Sequence, residues 1–195
     1  DLQFAAALFY DGEYRQALVE FTRLRPSLAG AEWEDDVLFW MAECHFYLLE
    51  YNHALDLYRK LISDYPGFSK LEEVYIKLMG ANYAAARFEN VVSDAESFTR
   101  KFPASKSNEQ VYLLWIQSVL RLKQFTRAEE LLEVYQKMSP GSPYVWSLKS
   151  ILANFYLQAQ RFDRALPFFE ELYSYQKDPN FLLWIGECRF RSVIC

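Results

Sequence analysis

The 195-residue chain is 52% hydrophobic and 18% aromatic, which excludes a disordered polypeptide, and its 24% of charged residues is ordinary for a globular protein. No apolar run approaches the ~18 residues that a membrane-spanning helix needs. The formal net charge of −5 hides an asymmetry, with 14 acids and 6 bases in residues 1–73 against 12 and 15 in residues 74–195. The bases are scattered, so the phosphate-neutralising stripe of a nucleic-acid binder is absent.

The first predicted unit, about 1–33, opens with LQFAAALFY, turns at Asp11-Gly12 and continues through EYRQALVEFTRL. Gly12 can adopt the left-handed conformation that ends a helix. Pro26 and the segment SLAGAEWEDD make the longest irregular connection, and Asp35 and Asp36 are placed to cap the helix that follows. Helices are then expected at about 36–49 and 51–64 (unit 34–69), 70–86 and 88–101 (unit 70–106), 107–123 and 125–138 (unit 107–143), and 143–159 and 161–175 (unit 144–179). A last helix from about 180 repeats the FWMAECHF of the second unit as LWIGECRF, so residues 180–195 read as half a unit or a closing helix. The chain starts at Asp1 without Met or a signal peptide and stops inside a helical pattern, as a piece of something longer would.

The units share one period. Tyr14, Tyr51, Phe88, Phe125 and Phe162 stand 37 residues apart, as do Ala17, Ala54, Val91, Ala128 and Ala165, and Phe21, Tyr58, Ala95, Leu132 and Phe169. Pro66, Pro103 and Pro140 keep the same interval within YPGFSK, FPASK and SPGSP, where proline ends one helix and the following serine can cap the next. The third unit carries Met79 and Val91 where Ala42 and Ala54 meet in the second. These marks resemble the tetratricopeptide repeat: a small residue, an aromatic, alanine three later, a large apolar residue four after that, and proline at the exit. The unit is three residues longer than the family's usual 34. Its length and Tyr-Pro turns resemble the periplasmic branch, of the Tol-Pal-associated cell-division coordinator and outer-membrane-assembly lipoprotein type. The resemblance implies an all-α fold, a right-handed superhelix of five helix-turn-helix repeats plus a terminal helix, forming a single solenoid domain over 1–195.

Catalysis finds little footing. Cys44 and His45 are adjacent on a helix and point about 100° apart, so they cannot form a nucleophile pair. Glu43 and Glu187 recur in units too distant to act on one bond, and no glycine-rich phosphate loop is present. His45 and His53 lie on different helices, and no third donor stands at zinc-ligand spacing, so no metal and no cofactor are expected. Cys44 and Cys188 fall in distant repeats that a disulfide cannot bridge, and are expected as buried thiols.

Binding fits better. By the resemblance, the first helix of each unit lines the concave side, and three rows of residues face it. Phe39, Ile76, Leu113 and Ser150 form one row, Glu43, Gly80, Gln117 and Asn154 the next, and Phe46, Tyr83, Leu120 and Leu157 the third. Tyr47 and Arg121 stand beside the third row, with Phe9 and Phe190 at its ends. Apolar anchors bordered by polar groups suit a peptide segment or helix of a partner protein. The expected function is a non-catalytic interaction scaffold whose acidic N-terminal half favours a basic stretch of the partner. The resemblance implies a place in the bacterial periplasm, in envelope assembly or maintenance, with any membrane anchor outside this chain; the alternative is the cytoplasm. A carrier that encloses a small apolar ligand among Phe39, Phe46, Tyr83 and Leu120 is the alternative function, and self-association through the last half-unit is a further one.

Overall fold

The 37-residue period of the sequence is also a period of backbone geometry. In the computed structural model, which describes residues 2–194, Gly12, Leu49, Ala86, Lys123 and Gln160 all have left-handed backbones, with φ of 82°, 62°, 56°, 58° and 57°. Each sits just past the end of a first helix. The amide of the following residue then turns back to the carbonyl five residues earlier: Glu13 to Leu8, Glu50 to His45, Arg87 to Asn82, Gln124 to Val119 and Arg161 to Tyr156, all at 2.8–2.9 Å. This closure satisfies carbonyls that a helix end leaves unpaired, and it reverses the chain into the second helix within three residues. Only the first position uses glycine.

The helices fall into two compact units, residues 1–111 and 112–195. The first holds α1 (Leu2–Tyr10), α2 (Tyr14–Leu24), a 3-10 turn (Arg25–Leu28), α3 (Glu34–Tyr47), α4 (Tyr51–Asp64), α5 (Leu71–Ala84), α6 (Phe88–Lys101) and the first turn of α7 (Asn108–Arg121). The second holds the rest of α7, α8 (Phe125–Met138), α9 (Tyr144–Gln158), α10 (Phe162–Gln176) and α11 (Pro179–Ile194). No strand occurs among the described residues. In the first unit each helix from α1 to α6 packs on the next, and in the second the same serial order runs from α8 to α11.

The repeated residues are the ones that disappear from solvent. Ala17, Ala54, Val91, Ala128 and Ala165 are fully buried, and Phe21, Tyr58, Ala95, Leu132 and Phe169 nearly so. Ala42 and Ala54 share a core cluster with Leu38, Leu55, Tyr58 and Leu61, where two small side chains let α3 and α4 approach closely. Met79 and Val91 are equally buried, so the third repeat fills its crossing with larger groups and keeps the register of its neighbours. The exits also repeat: Tyr65, Phe102 and Ser139 cap α4, α6 and α8 with near-identical backbones, and each carbonyl accepts the amide three residues on.

Two capping expectations are corrected. Trp33, not Asp35 or Asp36, stands at the N-cap of α3; both aspartates lie within its first turn, where their charge still favours the helix, and Asp35 accepts the Asp36 amide. Ser105 and Ser142 accept amides two residues on, from Ser107 and Tyr144, and so shape the turn before the helix.

A non-glycine residue in the left-handed region carries a penalty of about 1 kcal/mol. Ala86 is exposed and loses little packing on truncation. Ala86→Gly is therefore expected to raise the unfolding free energy by about 1 kcal/mol in urea denaturation; no change, or a loss, would contradict the turn geometry.

Candidate partner-binding surface

Within the first unit, the first helices of successive repeats meet through an aromatic cluster. Phe9 of α1 lies 4.9 Å from Trp40 and 5.7 Å from Tyr47 of α3, and Tyr10 lies 5.6 Å from Trp40 (ring centroids). Tyr14 stacks on Tyr47 at 4.6 Å with the rings 8° from parallel. The cluster is not sealed: Tyr10 is 73% exposed and Tyr47 44% exposed, while Phe9 and Trp40 are half-buried. Two lysines border it. Lys70 lies 5.3 Å from the Trp40 ring and Lys77 5.9 Å from that of Tyr47, close enough for cation–π attraction.

Both lysines are held by acids one repeat earlier. Lys70 donates to Asp36 at 2.9 Å, and Lys77 donates to Glu43. Each pair is separated by 34 residues, because neighbouring first helices place a residue beside the one a period minus about one turn further on. Glu43 is 3% exposed and also accepts the Tyr58 hydroxyl from α4. Burial, and then the Glu43 carboxylate, push the Tyr58 phenol far above its usual range, so it remains a donor. Glu43 thus ties α3, α4 and α5 together from inside, and it is a joint of the scaffold.

The remaining sequence-derived positions divide in the same way. Phe39 is 3% exposed, packed against Phe68 and Trp40 in the core of the second repeat. Phe46 is half-buried, edge-on to both Tyr47 and Tyr51, and Tyr83 is half-buried against Phe88. Ile76 is likewise half-buried. In the second unit Leu120 is fully buried, Leu113 and Gln117 are half-buried, and Arg121 and Asn154 are exposed. Phe39 is committed to the core of its repeat and Leu120 is fully buried, so neither side chain presents surface to a small ligand. A cavity of 340 Å³ in the second unit has a mixed wall, in which Glu129, Glu133, Lys149, Arg164 and Glu171 stand beside Leu132, Pro167 and Phe168.

Tyr10, Trp40, Lys70 and Lys77 escaped the sequence reading. The 34-residue spacing of opposite charges, Asp36 to Lys70 and Glu43 to Lys77, is the signal that could have found the two lysines. Cys44 and Cys188 are free and buried, and burial pushes the Cys44 thiol up to about 12, which leaves it unreactive at neutral pH. One expectation about the histidines is corrected: a third donor does stand beside them. The left-handed turn at Leu49 swings Glu50 back onto His45, with Nδ1 and Oε2 2.7 Å apart.

Hairpins closed by the same left-handed turn, with the repeated positions buried and with serial packing inside each unit, define a tetratricopeptide-repeat protein. The family model of an outer membrane lipoprotein, YfiO, matches residues 31–139, more than half of the chain, and the chain belongs to that family. Solved structures show the same fold. A thermophilic tetratricopeptide-repeat protein of Thermus thermophilus is 21% identical, with 97% of each chain covered and a TM-score of 0.51. A tetratricopeptide-repeat protein of Parabacteroides merdae is 11% identical, with 98% of this chain and 72% of that one covered and a TM-score of 0.75. The repeats of a Podosopora anserina putative kinesin light chain are 13% identical, with 91% and 95% covered and a TM-score of 0.67. No curated protein matches the chain. Among the described residues, no helix is long and apolar enough to cross a membrane.

The Glu43 joint yields a stability test. Lys77→Met strands a buried carboxylate on the Tyr58 hydroxyl alone. The expected cost is about 2 kcal/mol, reduced from the 3–5 of a fully buried pair because Lys77 keeps partial solvent access. Adding Glu43→Gln removes the stranded charge and should restore more than half of that loss in denaturant titrations. A double variant weaker than Lys77→Met would show that the charge is not what the joint holds.

Proposed function

We propose that this protein is a protein-interaction scaffold of the bacterial envelope that captures a peptide segment or helix of a partner on the face formed by the first helices of its repeats. The observation that carries the reading is the half-open aromatic cluster of Phe9, Tyr10, Trp40 and Tyr47 in the first unit. Large rings held by their neighbours lose little freedom when a ligand covers them, and their partial exposure leaves apolar area still to be buried. The acidic character of residues 1–73 favours a partner segment rich in lysine or arginine. Phe46, Ile76 and Tyr83 extend this face along the unit. In the second unit, Leu113, Gln117, Arg121 and Asn154 are the positions offered to a partner. Membership of an outer membrane lipoprotein family supports the envelope as the setting, with the periplasmic side as the compartment. The repeat fold, built for surface rather than for a cleft of converging titratable groups, supports a non-catalytic role.

The test is affinity capture from an envelope extract by the intact protein and by three variants: Tyr10→Ala with Tyr47→Ala, Gln117→Ala with Arg121→Ala, and Val19→Ser on the exposed side of α2. The first variant is expected to lose at least tenfold in recovery of its partner, and Val19→Ser to lose none. A folded Tyr10→Ala, Tyr47→Ala protein that retains every partner would overturn the assignment of the face.

A further inference from the structure

We propose that His45, Glu50 and His53 form a binding site for a divalent transition metal, with Zn²⁺ the best match to its donors. One nitrogen from each imidazole and one Glu50 oxygen lie within 4.8 Å of one another. Ligand atoms around a tetrahedral zinc, bonded at about 2.0–2.1 Å, stand ~3.3 Å apart, so side-chain rotations that contract the widest pair by ~1.5 Å complete the set. The two rings are already neighbours, with centroids 5.0 Å apart and planes 34° from parallel. Two imidazoles and one carboxylate favour zinc, copper or nickel over calcium or magnesium, and a fourth position remains for water.

The scaffold builds this juxtaposition in more than one repeat, and the second repeat alone fills it with metal donors. The first residue lies on the last turn of a first helix. The second follows the left-handed turn residue and returns its amide to the first, and the third lies on the first turn of the second helix. In the third repeat the same three places hold Asn82, Arg87 and Asn90, and the Asn90 side chain donates to that of Asn82 at 3.5 Å. In the others they hold Leu8, Glu13 and Gln16, then Val119, Gln124 and Arg127, then Tyr156, Arg161 and Arg164. The backbone closure that brings Glu50 to His45, 2.9 Å between amide and carbonyl, fixes the fold of this corner before any ion arrives.

Access also fits. His53 is exposed, His45 and Glu50 are half-buried, and the corner opens onto a depression of 330 Å³ walled by Leu49, Glu50, Tyr51, Asn52, His53 and Ala85. An incoming cation displaces the Glu50 hydrogen bond to His45. A bound ion would clip the end of α3 to the start of α4 and stiffen the hairpin behind the aromatic face.

The experiment is calorimetric titration of the untagged chain with Zn²⁺ alone, beside His53→Asn and Glu50→Gln, both at accessible positions. One Zn²⁺ per chain is expected, with the dissociation constant raised at least tenfold in each variant and the thermal midpoint of the unsubstituted chain raised by several degrees on zinc addition. NMR of the imidazole nuclei should show both His45 and His53 shifting together at one equivalent. Absence of saturable binding overturns the site, and so does undiminished binding in His53→Asn, which would place the ion elsewhere.

Discussion

The left-handed residue at the end of each first helix is the constraint on which the other contacts depend. It forces the chain to reverse within three residues and returns the next amide to a carbonyl five back. Every hairpin then closes in the same register, so the residue in the place of Ala42 is buried with the one in the place of Ala54, whether alanine or the larger Met79 and Val91. Four of the five turns accept the cost of a side chain in that conformation. The burial of apolar residues that each closed hairpin permits exceeds that cost, since a single buried Tyr58 or Phe21 contributes about 2 kcal/mol.

Once the hairpins are alike, contacts between them repeat as well. The 34-residue pairs Asp36 to Lys70 and Glu43 to Lys77 lie between successive first helices, and Asn52 to Arg87 and Glu129 to Arg164 follow the same logic at 35. The buried Glu43 differs from the rest because three elements converge on it, so its value lies in fixing the spacing of α3, α4 and α5. The aromatic cluster stands on that foundation. Tyr47 is placed by the stack on Tyr14 and by Lys77 over its ring, and Lys77 is itself held by Glu43.

The fold was open to reading in the sequence because periodicity, small-residue crossings and proline exits all speak of local geometry. Helix boundaries from the pattern fall within about two residues of those observed, as for 51–64 and 88–101. The site was less legible. Rows carried over from the family's face included Phe39 and Leu120, which pack inward, because a one-step rotation along a helix separates core from surface and sequence period alone cannot place that edge. Glu50 went unnoticed as a partner of His45 for a related reason. A turn of opposite backbone hand brings residues five apart together, while the helical rule expects three or four. The left-handed turns at Leu49, Ala86, Lys123 and Gln160 carry no glycine to announce them.

The central claim is that this chain works by covering part of a partner with the face that carries Tyr47. A photoactivatable amino acid placed at position 47, and separately at position 19 on the exposed side of α2, tests it most directly by cross-linking in living cells of the source organism. The account predicts a discrete protein adduct from position 47 and none from position 19. Adducts of equal yield from both positions, or none from position 47 in a folded protein, would contradict it.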